Sequence, residues 1–257
     1  MSPVLIGFIG SLLAGLMTGV GALPALFGRD VPQRTNDTLL GFAAGVMLAA
    51  SFLSLILPGI EAALAIHGSD MAAAAVAVAG VLAGAAVLAL MNEKIPHEHF
   101  FQGRQGPDAE KLARIWLFVL AITIHNAPEG LAVGVGLGSG DLATGSALAV
   151  GIGLQNAPEG LAVALALVSI GYTRRHAFAV ATLTGLVEPI AGLLGAWAVS
   201  LSHLALPWAL TFAAGAMIYV ISHEIIPETH RHGYERQATF GLVIGLALMM
   251  FLDVAFG

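Results

Sequence analysis

The chain has 257 residues, of which 58% are hydrophobic and only 10% charged, with a formal net charge of −6 and a mean hydropathy of +0.88. A soluble domain carries about 25% charged residues, so the composition excludes a soluble protein and gives an integral one whose partner is the lipid bilayer. The ten Lys and Arg are few and scattered, which excludes nucleic acid as a partner, and the lack of Cys excludes disulfides, thiolate zinc sites and iron–sulfur clusters.

A membrane-crossing helix needs about 20 mostly apolar residues. In chain order, such stretches lie at about 4–27, 37–60, 71–92, 113–138, 142–170, 176–201, 206–223 and 238–256. The first lacks the basic flank of a cleaved signal peptide and is expected to remain as a helix. Between the third and fourth lies the longest connection, about 93–112, with Pro96-His97-Glu98-His99 and a Gly-rich stretch. The alternating ten-residue segments of a β-barrel are missing.

The basic residues set the orientation. Arg29 and Arg34 fall between the first two spans. Lys94, Arg104, Lys111 and Arg114 fall in or beside the third connection, Arg174 and Arg175 between spans five and six, and Arg231 and Arg236 between the last two. All lie on one side, which the positive-inside rule makes cytoplasmic. The expected fold is a single all-α transmembrane domain over 1–257: eight helices, both termini outside, and Pro-kinked helices 4, 5 and 6.

Within this apolar background the octapeptide NAPEGLAV occurs twice, at 126–133 and 156–163. A charged side chain at mid-bilayer costs about 2.5–3.5 kcal/mol on insertion scales, so two carboxylates in duplicate motifs imply a use. On a helix, residues three and four apart share a face. His125, Asn126 and Glu129 therefore converge, and Gln155, Asn156 and Glu159 converge at the same offsets. Pro128 and Pro158 leave the carbonyls of Ile124 and Leu154 without their helical donors, a recurrent device at ion sites in transporters. Glu188, also followed by proline, adds a third acid. With no Lys or Arg inside a span beyond Arg114 at the very start of the fourth, a divalent metal or protons must neutralise these carboxyls. His and carboxylate donors suit zinc, iron, manganese and related ions.

Other polar residues carry less. His97, His99, His230 and His232 fall in cytoplasmic connections, where any single one reads as a solvated loop histidine. His223 and Glu224 sit at the inner end of helix 7 in SHEIIPETH, with Pro227 where a zinc-peptidase motif would need a second histidine. Met47 is apolar and reads as packing. Asp253 lies near the outer end of helix 8. His67 and His203 carry no assignment. An intramembrane metal-dependent hydrolase would need a base that is not itself a ligand. A proton-coupled solute transporter would need basic or aromatic groups at mid-membrane.

HNAPEG in the fourth span, QNAPEG in the fifth, and the segments LGFAAGVMLAASFLSLILPG, VEPIAG, AAGAMI, SHEIIPETH and ALMMFLD together resemble the bacterial branch of the ZIP metal transporters over nearly the whole chain. The resemblance implies a non-enzymatic importer of zinc or a similar divalent metal, with cadmium, iron and manganese as further cargo, in the cell inner membrane, with a homodimer plausible. It implies a binuclear centre between helices 4 and 5: one metal on Met47, His125, Glu129, Gln155, Glu159 and Glu188, the second on Asn126, Glu129, Asn156, Glu159 and Glu188. His223 and Glu224 match an accessory site toward the exit, and helices 1, 4, 5 and 6 are expected to slide against 2, 3, 7 and 8. In the bacterial branch aspartate stands at the position of Asn156. The neutral amide here is expected to weaken the second metal.

Overall fold

The structure is a computed structural model and describes residues 2–28, 31–94, 107–169 and 171–256. His97 and His99 lie outside the described residues, as do the side chains of His125, His203 and Glu224. Among the described residues the chain forms helices α1 (Pro3–Leu26), α2 (Gln33–His67), α3 (Asp70–Lys94), α4 (Pro107–Gly138), α5 (Leu142–Ser169), α6 (Arg174–Leu201), α7 (Leu206–Thr229) and α8 (Glu235–Phe256). Among the described residues, seven helices are long and apolar enough to cross a membrane. The protein is a multi-pass helical membrane protein.

Local sequence explains the element boundaries. Ser2 caps α1 through its hydroxyl, with Pro3 in the first turn, where a missing N–H costs nothing. Gly68, at φ 64°, ends α2 in the left-handed region that glycine occupies without strain. α2 and α7 each run longer than the apolar pattern predicts, because each absorbs a proline through a widened π turn, Ser51–Ile56 before Pro58 and Ile221–Ile225 before Pro227. The three prolines sit in different settings. α4 and α5 continue as helix through Pro128 and Pro158. α6 is interrupted: it ends at Gly185, turns through Leu186 and Val187, and restarts at Glu188, with Pro189 in the new first turn.

The helices pack in two groups. α1, α4, α5 and α6 form one, and α2, α3, α7 and α8 the other. Inside each group glycines press one backbone onto another. A Cβ on Gly21 would meet the backbone of Ala157, and one on Gly134 that of Gly192. In the second group, one on Gly45 would meet the backbone of Leu242, and one on Gly215 that of Val81. Small residues permit such approach where apolar burial supplies no drive. Between the groups the contact is made by side chains. Met47, Met217 and Met249 are fully buried in the core shared by both groups, and Gly151 of α5 faces the sulfur of Met249. Methionine is flexible and fills irregular gaps. Outward lie apolar side chains such as Leu13, Leu82, Leu183 and Phe251, a surface suited to acyl chains.

Among the described residues the bundle brings three of the basic connections to one end. Gly28, after α1, lies against the guanidinium of Arg174 at the start of α6, and Gln33, at the start of α2, reaches His232 in the α7–α8 connection.

The two kinds of packing predict different tolerances. Gly21→Ala sets a methyl against backbone and lowers stability by about 1–3 kcal/mol. Gly151→Ala meets a movable methionine and costs less. Melting temperatures of the purified variants in detergent check this ordering; equal losses would refute it.

Candidate metal centre

The two copies of NAPEG stand on antiparallel neighbours, since α4 and α5 are joined by the short turn Ser139–Asp141. Each glycine of the pair seats its helix on a different partner. A Cβ on Gly130 would strike the backbone of Glu188, where α6 restarts, and one on Gly160 would strike the backbone of Thr18 in α1. The motif thus clamps α4 to the break in α6 and α5 to α1. Glu188 takes its place from that break, as the first residue of the second half-helix.

Glu129, Glu159 and Glu188 are 0%, 1% and 0% exposed, and Asn126, Gln155 and Asn156 are fully buried. Glu129 and Glu159 are the electrostatic neighbours of Glu188. No Lys or Arg occurs between Arg114 and Arg174 or between Arg175 and Arg231. In this structure two amides stand where a cation would be expected. Gln155 Nε2 donates to Glu129 Oε1 at 2.5 Å, tying α5 to α4. Asn156 Nδ2 donates to Glu188 Oε1 at 2.7 Å, tying α5 to α6, and also to the carbonyl of Ala14 in α1 at 2.9 Å.

This arrangement uses up donors and leaves acceptors over. Among the described residues Gln155 Oε1, Asn156 Oδ1, Glu188 Oε2 and both polar atoms of the Asn126 amide are buried with no hydrogen-bond partner. Buried polar groups in folded proteins are nearly always paired, and each exception needs an explanation. Here the surplus is mostly oxygen, beside three carboxylates. That chemistry suits a hard or borderline cation. In the structure as it stands, no three His, Asp or Glu side chains among the described residues are gathered into a ligand cluster. Two of the acids are instead hydrogen-bonded to amides of α5.

The other predicted residues divide. His125 stands one residue before Asn126 in α4, and its side chain is outside the described residues. Met47 belongs to the facing helix group and is packed in the shared core. His223 is exposed and stacked on Tyr219, ring centroids 5.1 Å apart, in the π turn of α7 that also contains Glu224. Asp253 accepts from Ser54 at 2.7 Å, joining α8 to α2. Sequence reasoning missed Asp37. It is fully buried in the opening turns of α2, which begins at Gln33, a turn earlier than the apolar pattern predicts; the polar run QRTND hides that start.

A helical membrane bundle with paired carboxylate–amide motifs and no internal basic residue is the framework of a cation transporter rather than an enzyme. Residues 97–253 match the family described as ZIP Zinc transporter. The chain is similar to the zinc transporter ZIPB of Bordetella bronchiseptica, 51% identical over 240 residues, covering 93% of this chain and 78% of that protein. It is also similar to the zinc transporter GufA of Myxococcus xanthus, 46% identical over 252 residues, covering 98% and 99%. The human zinc transporter ZIP11 is 34% identical over 337 residues, covering 100% and 98%. The chain belongs to the ZIP family.

Asn156 generates a prediction that sequence alone would misstate. Asn156→Asp removes the donor to Ala14 and sets a second carboxylate against Glu188. Without metal this variant should melt lower than the unmodified protein, by the about 1–3 kcal/mol that an unsatisfied buried group costs. Saturating zinc should raise its melting temperature more than that of the unmodified protein, because a divalent ion replaces the lost donor. Paired melts with chelator and with zinc check this; an unchanged metal-free melting temperature would be the contrary result.

Proposed function

We propose that this protein carries zinc and related divalent ions, with cadmium, iron and manganese as candidates, across the cell inner membrane into the cytoplasm. The ion is held on Glu129, Glu159 and Glu188, with His125, Asn126, Gln155, Asn156 and Met47 completing two adjoining positions. His223 and Glu224 form an accessory site toward the exit. The observation that carries this reading is the set of buried, unpartnered oxygens on Gln155, Asn156 and Glu188 beside three carboxylates, in a stretch without a basic residue. The names of the relatives supply the metal. Mixed carboxylate and amide donors suit passage, since an ion must bind well enough to enter and weakly enough to leave.

The single domain crosses the membrane eight times with both termini outside. Its two helix groups support a sliding motion. The carboxylates and amides all ride on α4, α5 and α6 of one group, and the other group contributes Met47. Glycine-seated backbones hold each group rigid, while a methionine-lined face lets one group shift on the other.

Uptake of radioactive zinc into proteoliposomes tests the centre. Glu159→Ala should lower it by about a hundredfold or more, since losing even an outer partner of a ligand costs about 10–100-fold in affinity or activity. His223→Ala should lower it only in part. Full uptake by Glu159→Ala would overturn the site. A second measurement tests the topology. Tags at either terminus should react with an impermeant reagent on intact cells, and a tag at Gln105 should not.

A further inference from the structure

Among the described residues, every buried hydroxyl has a hydrogen-bond partner except one. Ser11, Ser51 and Thr211 donate to the carbonyl four residues back on their own helices. Thr184 and Thr229 donate to the carbonyl three residues back, and Ser54 donates to Asp253. Thr18 of α1, 1% exposed, has no partner for its Oγ1.

The cause lies on its own helix. The carbonyl four residues before Thr18 is that of Ala14. It takes the helical N–H of Thr18, and it also accepts from Asn156 Nδ2 at 2.9 Å. A carbonyl oxygen has two lone pairs, so Ala14 has none left for the hydroxyl. The carbonyl three residues back, on Gly15, is packed onto Gly185 of α6. The hydroxyl is therefore left facing Gly185, the last residue before α6 breaks.

Thr18 also stands where three helices meet. Gly160 of the second motif seats α5 on its backbone, Gly185 seats α6 on its side chain, and Gly15, a turn away, lies against Glu188. These backbones are locked by glycine contacts, so adjustment here falls to side chains. Asn156 spends its amide protons on Glu188 and Ala14, and its Oδ1 has no partner. Turning Oδ1 toward a cation while keeping Glu188 gives up Ala14. A threonine hydroxyl reaches the carbonyl four residues back by rotation about χ1 alone. The exchange keeps one side-chain donor on Ala14 and pairs a hydroxyl that had no partner.

We propose that Thr18 is a positioning residue for Asn156: its hydroxyl takes the Ala14 carbonyl when Asn156 turns its oxygen to a bound ion. The ion rests on the transport reading. The exchange of donors at Ala14 does not.

A double-mutant cycle reads the exchange without metal. Thr18→Val keeps the shape and removes the hydroxyl. In the full-length protein in detergent with chelator, Thr18→Val should leave the melting temperature unchanged or raise it. In an Asn156→Ala background the Ala14 carbonyl is free for Thr18, and Thr18→Val should lower the melting temperature by about 2–4 °C, the shift of one ordinary hydrogen bond in a chain of this size. Should Asn156→Ala fail to fold, Asn156→Leu, also without a donor and nearer in volume, takes its place. Equal losses in both backgrounds would show that the hydroxyl already has a standing partner such as water. No loss in either would show that it never takes the carbonyl. Each result overturns the proposal. Zinc uptake then reads the positioning role: Thr18→Val should slow it at saturating zinc by about two- to tenfold, and Thr18→Ser should restore it. Unchanged uptake by Thr18→Val, or no rescue by serine, would overturn that role. Full uptake by Glu159→Ala would sink the transport reading and leave the melting cycle standing.

Discussion

Two amides holding two carboxylates organise the interior. Gln155 reaches Glu129 and Asn156 reaches Glu188, so α5 is the strut that joins α4 to the broken α6. A carboxylate taken out of water costs several kcal/mol unless it is paired. In a bundle without internal Lys or Arg, the amide N–H is the charge complement these bonds supply. That choice has a consequence. An amide donor occupies only part of each carboxyl, so lone pairs stay in the centre for an arriving cation. A lysine in the same place would close the site permanently.

The same economy shapes the packing. Apolar side chains gain little by leaving lipid for protein, so close approach must come from small residues. Gly21, Gly134, Gly45 and Gly215 provide it within the two helix groups, and methionines provide the looser contact between them. The motif glycines belong to this scheme. Gly130 and Gly160 lie beside the acids in sequence and fix the helices that present them. Five consecutive residues, Asn-Ala-Pro-Glu-Gly, thus hold both the proposed ligands and the packing contact that aims them.

Much of this was legible from the residues. Composition gave the membrane, the duplicated octapeptide marked the carboxylates, and the i, i+3 and i, i+4 offsets put the amides on the same face. What stayed hidden was tertiary. Nothing local says that Gln155 donates to an acid on α4, or that Asn156 is a donor as well as a possible ligand. As a sequence feature Asn156 reads as a weak replacement for aspartate; in the fold it is a bridge between three helices. In the sequence the interruption at Glu188 reads as a proline kink, because proline marks where a helix yields but not whether it bends or restarts. Asp37 escapes local sequence for a related reason: its partner His232 lies 195 positions along the chain, and hydropathy averages cannot report such a partner.

Identical motifs need not make identical sites. α4 and α5 are antiparallel, so the two octapeptides present their acids to a common interior while their glycines turn to different neighbours, Gly130 to the α6 break and Gly160 to α1. The surroundings then break the symmetry. One copy follows His125 and the other follows Gln155, and Glu188 arrives from α6 with Asn156 as its donor. On the proposed reading, a cation near Asn156 and Glu188 meets a carboxylate whose Oε1 already accepts from that amide while its Oε2 is without a partner. A cation near Glu129 meets a carboxylate that already accepts from Gln155. Each amide has an oxygen already buried and without a partner, and on the proposed reading that oxygen is what the amide offers an arriving metal while its nitrogen holds a carboxylate.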